Sequence, residues 1–396
     1  MISRRRFLKI AGAGAAGIGW GAAPAEAASP VPGLAGSQTV SPEGPRIKET
    51  RLLGSTGLRM SDVGCGAINL YNANVLRYAF ERGVNHFDTA EGYLNGNSER
   101  FVGQALRDVR DKIVLTTKFM VRSAADMSAD VFMKRLEASL ARLRTDHVDV
   151  ALLHAADDPA RLDNKILQEA FLRMKKEGKA RYIGFSTHAP IITLAKAGAP
   201  GPWEIVLMTY NHMESAPVEP LIVEARQKGV GLIAMKILAG GMQGSLAPLV
   251  NEKTHYAQAA IRWALGNPRM DACIISMSSF SHVDEYVAAS GMPLQRGDQD
   301  VLARYKDEAG PFYCRVSCRA CLAACPRGVA VNEVLRFGMY YEHYGMEKTA
   351  MGFYGELESS RRPERCAVCE APCEAACPYG LSVRENLLRA RAWLSP

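Results

Sequence analysis

The chain has 396 residues, 48% of them apolar and 22% charged, a soluble composition with ample material for a core and a length that suits two domains. Its formal charge is +7, but the first 28 residues supply +3 of it and the rest holds 44 basic against 40 acidic residues. That is a mixed, solvated surface without a phosphate-binding stripe, and it excludes nucleic acid as a partner.

Residues 3–9 read S-R-R-R-F-L-K, followed by the uncharged, Gly- and Ala-rich stretch Ile10–Ala23 and by the small residues Ala25-Glu26-Ala27. This resembles a twin-arginine export signal over residues 1–28, with Arg4 and Arg5 as the pair. The competing reading is a disordered basic arm. The apolar stretch, about 14 residues, is shorter than the roughly 18 that span a bilayer, so no permanent anchor is expected. The resemblance implies recognition by the twin-arginine machinery and a periplasmic destination, reached already folded. Residues 29–49 carry Pro30, Pro32, Pro42 and Pro45 and read as a linker.

From residue 50 to 295, short apolar runs alternate with amphipathic segments. The strand candidates are Val63–Ala67, Val84–Asp88, Lys112–Lys118, Val148–His154, Ala180–Ser186, Ile205–Asn211, Gly231–Ile237 and Ala272–Ser276. Their near-continuous apolar character is that of parallel strands buried on both faces. Helical patterns include Glu99–Val109, Ala129–Leu143, Leu162–Glu177 and Thr254–Leu265. Eight alternations predict an α/β fold, a (β/α)8 TIM barrel. A doubly wound sheet lacks its G-x-G-x-x-G after the first strand. Arg51–Asp62, with Gly54 and Gly57, suits a hairpin plugging the barrel floor.

Barrel enzymes carry their chemistry at the C-terminal strand ends. Those ends hold Asp88, then Tyr93 in the next loop, Lys118 and His154, within F-D-T-A-E-G-Y, L-T-T-K and L-L-H-A. On these residues the segment resembles the aldo/keto reductase family, over roughly residues 50–290. The resemblance implies a carbonyl/alcohol oxidoreductase acting on a small polar molecule such as a sugar. Tyr93 would be the acid/base, Lys118 and Asp88 would tune it, and His154 would help to bind the substrate oxygen. A phenol with pKa near 10 is a poor acid at neutral pH, and an ammonium beside it is expected to lower that value.

The resemblance also implies a nicotinamide site, with departures. Ser186-Thr187 can hold the carboxamide, and Tyr210-Asn211 are present, but Leu207 stands where a Gln is usual. Met235-Lys236 replaces a stacking aromatic. Ser276, Ser278 and Glu285 remain after the eighth strand, while Met277 and His282 replace the basic residues that take a 2′-phosphate. NAD, NADP through fewer contacts, a dinucleotide bound tightly before export, and loss of the dinucleotide all stay open.

Eight of the ten cysteines fall between Cys314 and Cys377; Cys65 and Cys273 read as buried core thiols. The spacing is C-x3-C-x2-C-x3-C-P for Cys314, Cys318, Cys321 and Cys325, and C-x2-C-x3-C-x3-C-P for Cys366, Cys369, Cys373 and Cys377. This resembles a bacterial two-cluster ferredoxin, each motif departing by one residue. The resemblance implies two [4Fe–4S] clusters with crossed ligands: Cys314, Cys318, Cys321 and Cys377 for one, Cys366, Cys369, Cys373 and Cys325 for the other. Four disulfides or zinc are the competing uses of these cysteines. Val331–Tyr344 and Glu347–Ser359 look helical, so residues 296–396 are expected to form a small, mostly helical dicluster ferredoxin-like domain.

Together these features describe an exported iron–sulfur oxidoreductase whose clusters pass electrons to a redox partner protein or carrier. Hydride carries two electrons and a cluster one, so a flavin is a candidate intermediary despite the lack of a flavin motif. The alternative is an electron-transfer subunit whose barrel is only a docking scaffold, or a barrel that clusters merely staple.

Overall fold

The computed structural model describes residues 44–123, 126–214, 216–241 and 255–395. The expected signal, the linker up to residue 43 and Thr254 lie outside the described residues. Eight parallel strands, Val63–Gly66, His86–Asp88, Val114–Phe119, Val148–Leu153, Ala180–Thr187, Ile205–Thr209, Gly231–Met235 and Ala272–Ser276, pair in chain order. The last closes onto the first through Cys273↔Val63 to Ser276↔Gly66, completing the barrel. Cys65 and Cys273 are fully buried, as expected, and burial pushes the Cys65 thiol up to about 12.

The floor is the expected hairpin, Thr50–Leu52 against Arg59–Ser61. Its Leu53, Leu58 and Met60 pack with Val114, Val150 and Ile233 inside the barrel. Gly54 makes the approach possible. It has φ +52°, and a Cβ there would stand 2.4 Å from the Gly231 nitrogen, so only glycine fits.

Helices surround the strands, with two departures from expectation. The Glu99–Val109 pattern forms Asn97–Leu106 followed by a 3-10 turn, because Leu106 leaves helical geometry at φ −125°. Leu162–Glu177 is divided into Pro159–Asp163 and Lys165–Lys176 by Asn164, whose side chain caps the second helix by accepting from the Leu167 N–H at 3.1 Å. Among the described residues no helix is long and apolar enough to cross a membrane.

After the eighth strand, Arg296–Ala309 packs on Tyr256–Leu265 through a buried Arg262–Asp298 ion pair and the stacked rings of Tyr256 and Tyr305, 4.1 Å apart. A second apolar core follows, built on Val331–His343, Glu347–Glu356 and Val383–Leu394 with Val334, Phe337, Tyr354 and Leu387 inside it.

One residue just past the sixth strand is costly. His212 lies among Tyr256, Trp263 and Tyr305, with ring centroids 5.6–6.2 Å away, and neither of its nitrogens meets a partner among the described residues. Burial, then Lys306 and Arg315, push its pKa down to about 4. A depressed histidine contributes stability above its unfolded value near 6.5 and loses it as pH falls toward 4. His212→Phe removes the orphaned nitrogens and should stabilise the protein by about 1–3 kcal/mol at pH 7. Denaturant unfolding should show that advantage growing at pH 5.

Candidate active site

The strand ends bring the expected set together. Asp88 closes the second strand, Lys118 lies one residue before the end of the third, and His154 follows the fourth. Tyr93 opens the turn Tyr93–Gly96, in which Leu94 and Asn95 take left-handed angles, φ 51° and 55°. A leucine there is strained by roughly 1–3 kcal/mol, the mark of a loop that its surroundings over-determine. Glu91 ties this loop down through a two-pronged ion pair with Arg135, which also donates to the Met120 carbonyl.

Lys118 Nζ donates to Asp88 Oδ1 at 2.5 Å, to the Thr89 carbonyl at 2.8 Å and to the Tyr93 hydroxyl at 3.4 Å. The His154 ring meets Tyr93 edge-on, centroids 5.6 Å apart. Burial pushes the Asp88 carboxyl up and the Lys118 ammonium down, each resisting the other's shift. The Tyr93 phenol is raised well above its ordinary value, by burial first, then by Asp88 and Tyr340. The sequence predicts the opposite direction from Lys118 alone. Asp88 offsets that ammonium, and burial then decides. Burial, then Lys118, hold His154 well below its ordinary value, so it is a neutral ring at pH 7.

Tyr93 and Lys236 stand between two cavities. The larger, about 600 Å³, is lined by Lys118, His154, Ser186 and His188 from the barrel and by Arg336, Phe337 and Tyr340 from the helix Val331–His343. That helix is a roof over the barrel mouth, which no local pattern announces. The smaller, about 280 Å³, runs from Asp88 to Ser276, Ser278 and His282 and is lined also by His343, Tyr344 and Met346.

The expected dinucleotide contacts divide. Ser276 and Ser278 line the smaller cavity; Ser186 lines the larger, and its Oγ accepts the Ala155 N–H at 3.0 Å. Thr187, Tyr210, Asn211 and Glu285 line neither. Thr187 hydrogen-bonds to Asp157 and Thr193, the Tyr210 hydroxyl donates to Glu219 at 2.6 Å, and Asn211 donates to Glu214 at 2.8 Å. These three are engaged with protein partners.

Residues 68–245 match the model of the aldo/keto reductase family. L-galactose dehydrogenase of Arabidopsis thaliana is 30% identical over 282 residues, 61% of this chain and 88% of that protein. The chain belongs to the aldo/keto reductase family. An aldo-keto reductase from Pseudomonas aeruginosa superimposes with a TM-score of 0.53 at 26% identity, over 62% of this chain and 96% of the other. One from Bacillus halodurans, in its holo form, gives 0.55 at 25% identity, over 65% and 96%.

Members of the family typically bind NAD(P), and the smaller cavity of this aldo/keto reductase offers acceptors for such a group. Asn69 Oδ1 and Asp88 Oδ2 are buried there without partners among the described residues. Two orphaned acceptors suit the hydroxyl and amide donors of a nicotinamide riboside.

The cysteines gather across the two motifs. All are free thiols. Burial, then Cys321, Glu214, Cys377 and Cys318, raise the Cys314 thiol. Burial, then Cys325, Cys373 and Cys369, raise Cys366 to about 11. Cys314, Cys318, Cys321 and Cys377 also line one small cavity. Among the described residues no three His, Cys, Asp or Glu side chains meet as ligands of a single ion. A four-iron cluster takes its thiolates at separate corners and not around a single ion, and each expected quartet supplies the four cysteines it would need.

Glu214 pins the first motif to the barrel, accepting from the Tyr313 hydroxyl and the Ser317 hydroxyl at 2.6 Å each, on either side of Cys314. Sequence reasoning missed Glu214, Arg336 and Tyr340. It registered Lys236 only as a replaced aromatic, although its position just past a strand end was a signal.

Proposed function

We propose that this chain is an exported iron–sulfur oxidoreductase that interconverts a carbonyl and an alcohol at Tyr93 and passes electrons through two [4Fe–4S] clusters. The observation that carries the reading is that Tyr93, Lys118 and His154 share one cavity whose roof belongs to the cysteine-rich domain, with Asp88 holding Lys118 from behind. In reduction the substrate oxygen lies between the Tyr93 hydroxyl and the His154 ring, and Tyr93 delivers the proton as the alkoxide develops. Asp88 holds Lys118, and Lys118 holds the phenol. A dinucleotide held beside Asn69, Asp88, Ser276 and Ser278 would supply or take up the hydride, and clusters held by the two cysteine quartets would carry single electrons, which calls for a converter such as a flavin between them.

Among the described residues the lining of the smaller cavity brings Lys236, His282 and His343 but no arginine, which favours a dinucleotide without a 2′-phosphate. His343, Tyr344 and Met346 over it favour one that is held through turnover. The dehydrogenase relative suggests a sugar or a molecule like one. Arg4 and Arg5 support a periplasmic destination, reached with the cofactors already in place.

Protein isolated anaerobically from the periplasmic fraction should be brown, contain about eight iron and eight sulfide per chain, and release a dinucleotide only on denaturation. Zinc or intact disulfides at the eight cysteines would rule out the cluster reading, and a chain free of dinucleotide would rule out a retained one.

A further inference from the structure

The cavity beside Tyr93 holds a cation that the four-residue chemistry leaves unused. Arg336, in the roof helix Val331–His343, is 8% exposed and lines the 600 Å³ cavity. Its Nη1 reaches Asp157 Oδ2 at 3.4 Å, a long contact, and its Nε is buried without a partner among the described residues. Asp157 is meanwhile occupied by other donors. It accepts from the His188 backbone N–H at 2.6 Å and from Thr187 Oγ1 at 3.2 Å, and the His188 ring lies 3.2 Å away. The carboxylate therefore positions the guanidinium without satisfying it. A guanidinium has five N–H donors and no neutral form to retreat to, so burying it with one long bond is costly unless a ligand completes the set.

Lys236 lines the same cavity from the barrel side, one residue past the seventh strand, at a left-handed φ of 60° that a lysine adopts only under constraint. Its Nζ lies 4.3 Å over the Tyr340 ring and 5.2 Å over the Tyr344 ring, and it has no acidic partner among the described residues. Around Tyr93, Lys118 is matched by Asp88 and Arg336 by Asp157, while Lys236 is unmatched. His154 and His188 add no charge at pH 7, since burial comes first in holding both below their ordinary value. At the rim, Glu333 is paired with Arg361, Asp158 caps the helix that starts at Pro159, and Glu356 and Glu358 are outnumbered by Arg122, Arg161 and Arg319. The reacting end of the cavity carries an excess positive charge.

We propose that Arg336 and Lys236 bind a carboxylate of the substrate, which makes the molecule turned over at Tyr93 an oxo or hydroxy acid. The inference rests on Tyr93 marking the reacting centre. It also gives the cysteine-rich domain a part in substrate selection besides any part in electron transfer. A neutral substrate of the same shape leaves both cations unpaired, and sites built to pair a group discriminate strongly against the analogue that lacks it.

The test is calorimetric binding to the intact protein of two matched pairs, pyruvate with pyruvamide and D-galacturonate with D-galactose. In the wild type the acid of at least one pair should bind about tenfold tighter or more than its neutral partner, the scale of a hydrogen bond to a charged group. Arg336→Gln and Lys236→Gln should each cut that preference at least fivefold and leave the neutral partner's affinity within about twofold. Lys236→Gln serves as the control for any disturbance of Asp157 by the first change. No preference for either acid in the wild type, including no binding at all, overturns the proposal. So does a preference that survives in both variants. Tyr93→Phe separates this idea from the one beneath it. An acid preference with full turnover in Tyr93→Phe keeps the carboxylate site and sinks the catalytic role of Tyr93; lost turnover without an acid preference does the reverse.

Discussion

Tyr93→Phe should lower carbonyl reduction by roughly 10²–10⁴-fold, the usual contribution of a positioned acid, while leaving the fold intact. The ring keeps its edge-on contact with His154 and its place under Lys118, so only the hydroxyl is lost. The direction of the phenol shift gives a second expectation. Burial, Asp88 and Tyr340 raise this group well above its ordinary value of 10, so it keeps its proton to higher pH than a free tyrosine. The reduction rate of the wild type should then show no alkaline fall below about pH 10, and alcohol oxidation, which needs the phenolate as base, should still be rising there. Lys118→Met acts on the same unit. It removes the cation 3.4 Å from the hydroxyl and 2.5 Å from Asp88, leaving a buried carboxylate unpaired at a cost of about 3–5 kcal/mol unless Asp88 takes up a proton. The double variant should be little slower than the worse single one, because the residues act together. Full reduction by Tyr93→Phe would leave the barrel as a scaffold and promote the electron-transfer reading. Steady-state rates from pH 6 to 10 decide it.

If the proposed clusters are present, Cys325→Ser should remove about four of roughly eight iron atoms, and the loss should fall on the cluster of the other motif. Cys325 ends the first motif in sequence, yet after burial it is the foremost charge raising the Cys366 and Cys373 thiols of the second. Cys377 ends the second motif and lines the small cavity with Cys314, Cys318 and Cys321. Pairs of substitutions make the crossing visible by iron analysis. Cys325→Ser with Cys366→Ser lies across the motifs but within one quartet, and should cost no more iron than either change alone. Cys325→Ser with Cys314→Ser lies within one motif but across the quartets, and should remove nearly all of it. The reverse pattern would mean that each motif holds its own cluster, and equal, partial losses throughout would mean that no quartet acts as a unit. Because ligands and apolar side chains share one core in this domain, chelation of the iron should also melt the C-terminal helices before the barrel.

The barrel was legible because its strands are buried on both faces. A continuous apolar run such as Ile205–Thr209 needs no partner to be recognised, and its observed ends lie within two residues of expectation. The order of Asp88, Tyr93, Lys118 and His154 was legible for a related reason, since a barrel fixes which strand ends converge. Helix interruptions were harder. The capping Asn164 was in plain view, but its effect competed with an unbroken helical period on both sides.

What the sequence determined by itself was therefore the local and the periodic: eight buried strands, the hairpin plug, four polar residues at strand ends and two spaced runs of cysteine. Only the tertiary structure decided what covers the barrel mouth. Arg336 meets Asp157 across 179 residues and Tyr313 meets Glu214 across 99, and no local propensity encodes which solvated helix face will turn inward over a cavity. Tertiary structure also reversed the expected direction of the Tyr93 phenol. Charge neighbours can be guessed from order along a barrel, but the depth of burial, which outweighs them here, exists only once the roof helix Val331–His343 is in place.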